Sequence, residues 1–375
     1  MQVYLAVALT DLIIFFITFF VMYRAGESNL SNGLCALLGI SGSIGYVMSS
    51  MVSGKVVNQK NCKSLLLVSS LTGTILCLIM LFSTNYLFNL LLLFVFSAAN
   101  GLFFNAFQSF MRNSSSRGKL MKIICMYTIA WSGGISLGYL ASGSLYKLGP
   151  YALSIIVILS GAWVLWIFRK DSSIEANKET EDYAFSKNVM FVWIGWIIIA
   201  VVTFVERSIL VFFPVFCAQK NIGPFYASLP LFLMMFGQGV FSIYFIKNTR
   251  LFYNKNVIIL ANIAAAIVML SVWLFPSYLV YIIGFILLGL YGSFTYFSAV
   301  FYANNHFENR SLNVGINETI VGMSSITGVA ISYIWMKALP GPDSIYLGCA
   351  LLLIILVFVI LFFPVKSRVN IRKVC

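Results

Sequence analysis

Twelve apolar blocks, each long enough to cross a bilayer, leave this chain one solvent for most of its surface. They fall at 3–23, 32–54, 63–83, 86–111, 119–146, 150–168, 189–216, 224–247, 255–275, 278–304, 312–337 and 343–364. A helix rises about 1.5 Å per residue, so about 20 residues span the hydrocarbon. Only 9% of the residues are charged and 61% are hydrophobic, whereas a soluble domain carries about 25% charged residues. No water-facing surface of this size is covered by so few charges. Inside lipid the backbone must satisfy its own hydrogen bonds, so the blocks are expected to be helices.

One stretch breaks the pattern. Between Arg169 and Asn188 lie nine charged residues, among them Lys170, Asp171, Glu175, Glu181 and Asp182. So polar a segment belongs in water. Six blocks precede it and six follow. The expected organisation is a six-helix bundle over 1–168, a charged aqueous linker over 169–188, and a second six-helix bundle with a short tail over 189–375.

The charge pattern tests the count of spans. The formal net charge is +13, which by itself would admit nucleic acid as a partner. The basic residues, however, sit in the short gaps between blocks. Nineteen lie on the side shared by both termini, as in Lys55, Lys63, Arg112 and Arg117. Arg24, Lys147, Lys220 and Lys337 lie on the other, and Arg207 lies within a span. That asymmetry is the positive-inside signature. It places both termini and the linker in the cytoplasm and argues against nucleic acid. The first block has no basic residues ahead of it and no small-residue cleavage site, so it reads as a retained helix. Seven cysteines form no CxxC pair and no metal spacing, so neither a disulfide framework nor a metal site is expected. No cofactor motif is present.

The two halves are related. Asn100 to Asn105 aligns with Tyr291 to Tyr296 at an offset of 191, Lys63 with Lys255 at 192, and Gly138 with Gly328 at 190. Several matches at nearly one offset indicate a duplicated six-helix unit, the pattern of parallel-repeat transporters.

Twelve spans in a six-plus-six repeat, with cytoplasmic ends and a charged central loop, resemble the major facilitator superfamily over the whole chain. Its loop motif between spans two and three, Gly-x-x-x-Asp-Arg-x-Gly-Arg-Arg/Lys, is matched by the stretch from Gly54 to Lys63. Gly54 and Lys63 fit. Asn58 stands in place of the acid, Gln59 in place of the arginine and Asn61 in place of the second glycine. The resemblance implies that this loop latches the cytoplasmic ends of the halves. With Asn58 neutral, the latch would rest on hydrogen bonds about half as strong as charge-assisted ones. Span five carries Gly134, Gly138, Ser142 and Gly143, similar to a family pattern associated with antiporters. Tyr139 replaces its proline, and close packing of small residues accounts for Gly134 and Gly138 equally well. The family fold would line a central cavity with spans one, four, seven and ten, flanked by two, five, eight and eleven.

Ionisable groups at bilayer depth are functional candidates by default. Asp11, Glu206, Arg207 and Glu318 are such groups here. Asp11 shares a face with Tyr4 and Thr18, each seven residues away. Glu206 and Arg207 point about 100° apart, so each needs its own partner. Asp11, Glu206 and Glu318 are candidates for binding a coupling proton. Arg207 would either hold a polar or anionic group of the cargo or neutralise a neighbouring acid. Asn105 and Gln108 share a stripe of span four, Thr295 and Ser298 one of span ten, and Tyr127 and Trp131 one of span five. With Asn317 they would offer amides, hydroxyls and aromatic platforms to a ring compound such as a sugar or a nucleoside. His306 falls in a loop, and no HExxH, GxSxG or P-loop pattern occurs.

The expected function is therefore secondary active transport of a small organic solute by alternating access, with proton coupling. Catalysis is not expected, and neither is a partner beyond solute, coupling ion and lipid. A monomer in the plasma membrane is expected, or in the cytoplasmic membrane of a prokaryote. Two alternatives stay open at this point: efflux of lipophilic drugs or metabolites, and a non-transporting membrane receptor.

Overall fold

The computed structural model describes residues 2–57, 61–114, 120–170, 189–248, 251–304, 310–339, 341 and 343–363. Within them the twelve expected blocks are twelve α-helices. They are α1 (Gln2–Glu27), α2 (Asn32–Val56), α3 (Cys62–Phe82), α4 (Tyr86–Ser114), α5 (Leu120–Leu145) and α6 (Gly149–Lys170). The second set is α7 (Val189–Gln219), α8 (Pro224–Lys247), α9 (Lys255–Leu274), α10 (Tyr278–Asn304), α11 (Arg310–Ala338) and α12 (Ser344–Phe362). No strand occurs among the described residues. Among the described residues eleven stretches are long and apolar enough to cross a membrane, the longest, Ile124–Lys170, taking in most of α5 and all of α6. Large apolar side chains face outward all along them: Met51 is 64% exposed, Leu87 68%, Ile155 58% and Leu260 66%. Apolar surface on that scale requires lipid as the solvent. Tyr151 at the start of α6 and Trp163 and Trp166 near its end are also exposed, and the Lys170 ammonium sits 5.0 Å from the Trp166 ring. These are interfacial anchors about 22 Å apart along the helix.

By compactness the chain forms two units. The first is Met1–Ser116, Ala130–Thr180 and Ile209–Phe232; the second is Arg117–Ile129, Glu181–Ser208 and Leu233–Cys375.

The first unit is built round α1, whose residues Ala6, Val7, Phe16, Ile17 and Phe19 are fully enclosed. Arg24 ends this helix. Its guanidinium donates to the carbonyl oxygens of Ser83 (2.5 Å), Met80 and Leu81 (both 3.4 Å), and stacks 4.8 Å from the Phe20 ring. These carbonyls close α3, so a cation meets the negative end of a helix. Tyr86 donates to the Arg24 carbonyl at 3.1 Å, and Tyr146 donates to Glu27 Oε2 at 2.5 Å. The same end is sealed by Ile209–Phe232. Tyr23 donates to the Ile222 carbonyl at 2.7 Å, and a Cβ on Gly26 would fall 2.5 Å from the Val215 oxygen. Backbone lies directly on backbone there.

In the second unit Phe252 is fully enclosed by aromatic rings, with centroids of Phe245, Phe294, Phe297 and Phe301 all between 5.5 and 5.8 Å away. Tyr302 donates to the Phe252 carbonyl. Lys255, at the start of α9, donates to the carbonyls of Leu361 and Phe363, both at 2.9 Å, and so closes α12 as Arg24 closes α3.

The duplication inferred from sequence is also written in the backbone. Asn29 and Asn221 are 192 positions apart, and both adopt positive φ, 49° and 56°. Each ends its helix with the same pair of bonds. Leu30 donates to Ala25 and Asn29 to Gly26; Ile222 donates to Cys217 and Asn221 to Ala218. Asparagine tolerates this left-handed cap better than other side chains do. The helix seams repeat as well. Gly138 of α5 lies against the Leu12 carbonyl of α1, with 2.6 Å left for a Cβ. Gly328 of α11 lies against the Phe204 carbonyl of α7, with 2.7 Å. At another pair of equivalent positions the small residue changes sides: Gly42 of α2 faces Ser97 of α4, whereas Met234 of α8 faces Gly289 of α10.

Candidate functional site

A polar cluster stands in the otherwise apolar interior of the second unit. Its floor is Gly292 on α10. A Cβ there would fall 2.5 Å from Glu206 Oε1 of α7, and 3.4 and 3.5 Å from Cδ and Nε2 of Gln238 on α8. The missing side chain at 292 is what lets a carboxyl and an amide approach the same point from two other helices. Glu206 is half-buried. Gln238 is fully buried, and neither of its amide atoms has a hydrogen-bond partner among the described residues.

Four neighbouring groups are already engaged. Tyr291 donates its hydroxyl to Asn262 Oδ1 of α9 at 2.8 Å, and Asn262 donates to the Ile258 carbonyl at 2.8 Å. Thr295 and Ser298, both fully buried, donate to carbonyls of their own helix, Tyr291 at 2.8 Å and Thr295 at 2.9 Å. Hydroxyl back-bonding of this kind is ordinary within a helix; it leaves each oxygen able to accept and not to donate. Gln238 thus keeps unspent capacity in both senses; the buried Oγ of Ser293, beside Gly292 on α10, likewise has no partner among the described residues.

The other candidates of this unit are placed as follows. Arg207 is half-buried, one residue round α7 from Glu206. Asn317 on α11 is 2% exposed, and its Oδ1 is buried with no hydrogen-bond partner among the described residues. Glu318 beside it is half-buried, and so is Tyr127 on the opening turns of α5.

In the first unit Asp11 is 1% exposed and lies mid-way along α1. Gly134 and Gly138 of α5 bracket it, because they pack on the carbonyls of Ala8 and Leu12, 2.2 and 2.6 Å from where a Cβ would be. Both glycines thus serve packing, and Asp11 lies on the seam they make. Asn105 donates to Ser50 Oγ at 3.2 Å and to the Gly101 carbonyl at 2.8 Å, tying α4 to α2. Trp131 and Lys63 are half-buried. Asn58, His306, the segment 171–188 and the side chains at Gly54 and Gln108 lie outside the described residues.

Sequence reasoning passed over Gln238 and Asn262. A signal existed for the first: Gln238 is the sole amide in the block 224–247. Nothing in the sequence, though, says that it faces Glu206.

The family pattern described as Major Facilitator Superfamily matches residues 3–303. No curated protein matches the chain in sequence. Among solved structures, the nucleoside transporter NupG is similar in two crystal structures. One, of a point mutant, has a TM-score of 0.75 at 15% identity and covers 97% of this chain and 99% of its own. The other has a TM-score of 0.70 at 15% identity, covering 96% and 97%. The human organic anion transporter MFSD10 (TETRAN) has a TM-score of 0.68 at 10% identity, covering 96% and 98%. At these identities the likeness concerns the fold.

Proposed function

We propose, from the premise that this chain belongs to the major facilitator superfamily, that it moves a small polar organic solute across the bilayer by proton-coupled alternating access. That it is a multi-pass membrane transporter and not an enzyme follows from the family and from its structural neighbours. Solute and coupling are our reading. The observation that carries it is Asp11, a carboxyl 1% exposed in the middle of a membrane-spanning helix. A carboxyl there is costly unless it works. Glu206 and Glu318, half-buried in two other spans, support the same reading. In it, the N-terminal bundle 1–168 and the C-terminal bundle 189–375, joined by the linker 169–188, open the path for the solute to one side of the membrane and then to the other. Both termini lie in the cytoplasm, and the membrane is the plasma membrane.

Asn317 of α11, whose buried Oδ1 has no hydrogen-bond partner among the described residues, suits a neutral polar ring solute. A nucleoside is the first to try, because NupG, which shares the fold, is a nucleoside transporter. Half-buried Arg207 favours a second reading, an organic anion, the class named for MFSD10. The test is uptake of radiolabelled uridine, glucose and an organic anion into proteoliposomes under an imposed pH gradient. Gradient-driven uptake that is lost in Asp11→Asn or Glu318→Gln is expected. Uptake unchanged in both variants removes proton coupling through these residues. Outward movement of lipophilic cations alone moves the protein to the efflux class.

A further inference from the structure

We propose that Gln238 is a positioning residue for Glu206, an amide whose two faces serve the acid and its conjugate base in turn. The inference rests on the proton-coupled reading and deepens it by naming which residues handle the proton in the second unit.

Three observations carry it. First, Oε1 of Glu206 lies 2.5 Å, and Nε2 of Gln238 3.5 Å, from the same point above Gly292. The two groups are therefore no more than about 6 Å apart, within reach of one rotamer change. Second, Gln238 is fully buried, and among the described residues both Nε2 and Oε1 lack a hydrogen-bond partner. A buried amide left that way is costly, so a partner at some stage of the cycle is the expectation. Third, the amide and hydroxyls of Asn262, Tyr291 and Thr295 are committed elsewhere: Tyr291 to Asn262, Asn262 to Ile258, Thr295 to its own helix.

The chemistry follows from the inventory of a glutamine. Its NH2 donates and its carbonyl accepts, and rotation about the last torsion exchanges them. A carboxylate at 206 takes the NH2. When a proton arrives on the carboxyl, the O–H needs an acceptor, and the amide turns its carbonyl oxygen to it. One side chain thus partners the carboxyl in both states, so the proton moves on and off without leaving Glu206 orphaned. A hydroxyl donates only one hydrogen, and a lysine or arginine would hold the carboxyl permanently ionised. The charged and titratable groups that act on Glu206 are Arg207, next to it on α7, and Tyr291 on α10. Asn262 on α9 and Gln238 on α8 are neutral.

The experiment reads the carboxyl itself and needs no solute. The full chain, reconstituted in lipid, is titrated with pH while the infrared C=O stretch of protonated carboxyls is recorded. Glu206→Gln identifies the band. Gln238→Met keeps the volume but removes donor and acceptor. A charge-assisted bond is about twice as strong as a neutral one, so the ionised form loses more. The midpoint is expected to move toward alkaline pH by about one unit. Gln238→Glu, closer still in shape, is expected to split the titration into two steps, as paired carboxyls do. The proposal is overturned if Gln238→Met and Gln238→Glu both titrate at the wild-type midpoint. It is also overturned if Glu206→Gln removes no band. In either case gradient-driven uptake that persists would leave the transporter reading intact, and its absence for every solute would sink that reading separately.

Discussion

Gly133 and Gly134 are neighbours in sequence with opposite surroundings, which makes a controlled test of the α1–α5 seam. A Cβ at 133 meets nothing within 4 Å. A Cβ at 134 would lie 2.2 Å from the Ala8 carbonyl oxygen and 2.8 Å from Ala8 C and Cα. Ordinary contact begins near 3.4 Å, so α5 must withdraw from α1 by about 1.2 Å to admit one methyl. The obstacle is backbone in mid-helix and has no rotamer to turn away. Alanine gains about 0.8–1.0 kcal/mol of helix propensity at either position. Gly133→Ala should therefore be neutral or slightly stabilising. Gly134→Ala carries the same gain against an overpacking cost of about 1–3 kcal/mol, at the upper end because backbone must shift. A gap of about 3 kcal/mol between the variants is expected, read from reversible unfolding in mixed detergent micelles titrated with SDS. Since Asp11 lies between Ala8 and Leu12 on the displaced face, Gly134→Ala should also weaken gradient-driven uptake where Gly133→Ala does not. If Gly134→Ala unfolds at or beyond the SDS fraction of Gly133→Ala, the seam does not restrain the helices and the packing argument is wrong.

Arg24→Ala removes the cation from the last carbonyls of α3 and should cost about 1–2 kcal/mol in the same unfolding assay. Arg24→Lys should recover part of that, because charge survives but the fork that reaches Leu81 and Ser83 together does not. Tyr291→Phe strands Asn262 Oδ1 in the interior and should cost about 1–3 kcal/mol; adding Asn262→Leu should return some of it, a coupling that a double-mutant cycle measures. Gly292→Ala puts a methyl 2.5 Å from where Glu206 Oε1 now sits. The carboxyl is the free end of a flexible side chain and can move, so unfolding should change little while proton-driven uptake falls by about tenfold or more, the cost of one misplaced proton-transfer group.

Much of this protein is local, and local facts are legible in a sequence. Long apolar blocks set the solvent, the solvent forces helices, and the bias of lysine and arginine counts the spans. The duplication showed in Gly138 and Gly328, and those residues proved to occupy matching helix seams. Asn29 and Asn221 carry the same repeat in their backbone caps, although no side-chain pattern announced it. What a row of letters does not contain is the rotation of each helix and the identity of its neighbour. Thr295 and Ser298 looked available on a helical stripe, yet their hydroxyls turn back to their own carbonyls. Asn105, read as facing a solute, binds α2. Gln238 drew no notice in its apolar block. Only the approach of α7, α8 and α10 over a residue with no side chain, Gly292, brings it to Glu206. A polar group acquires its role in lipid from what it meets across a helix seam, and that meeting is made by tertiary packing.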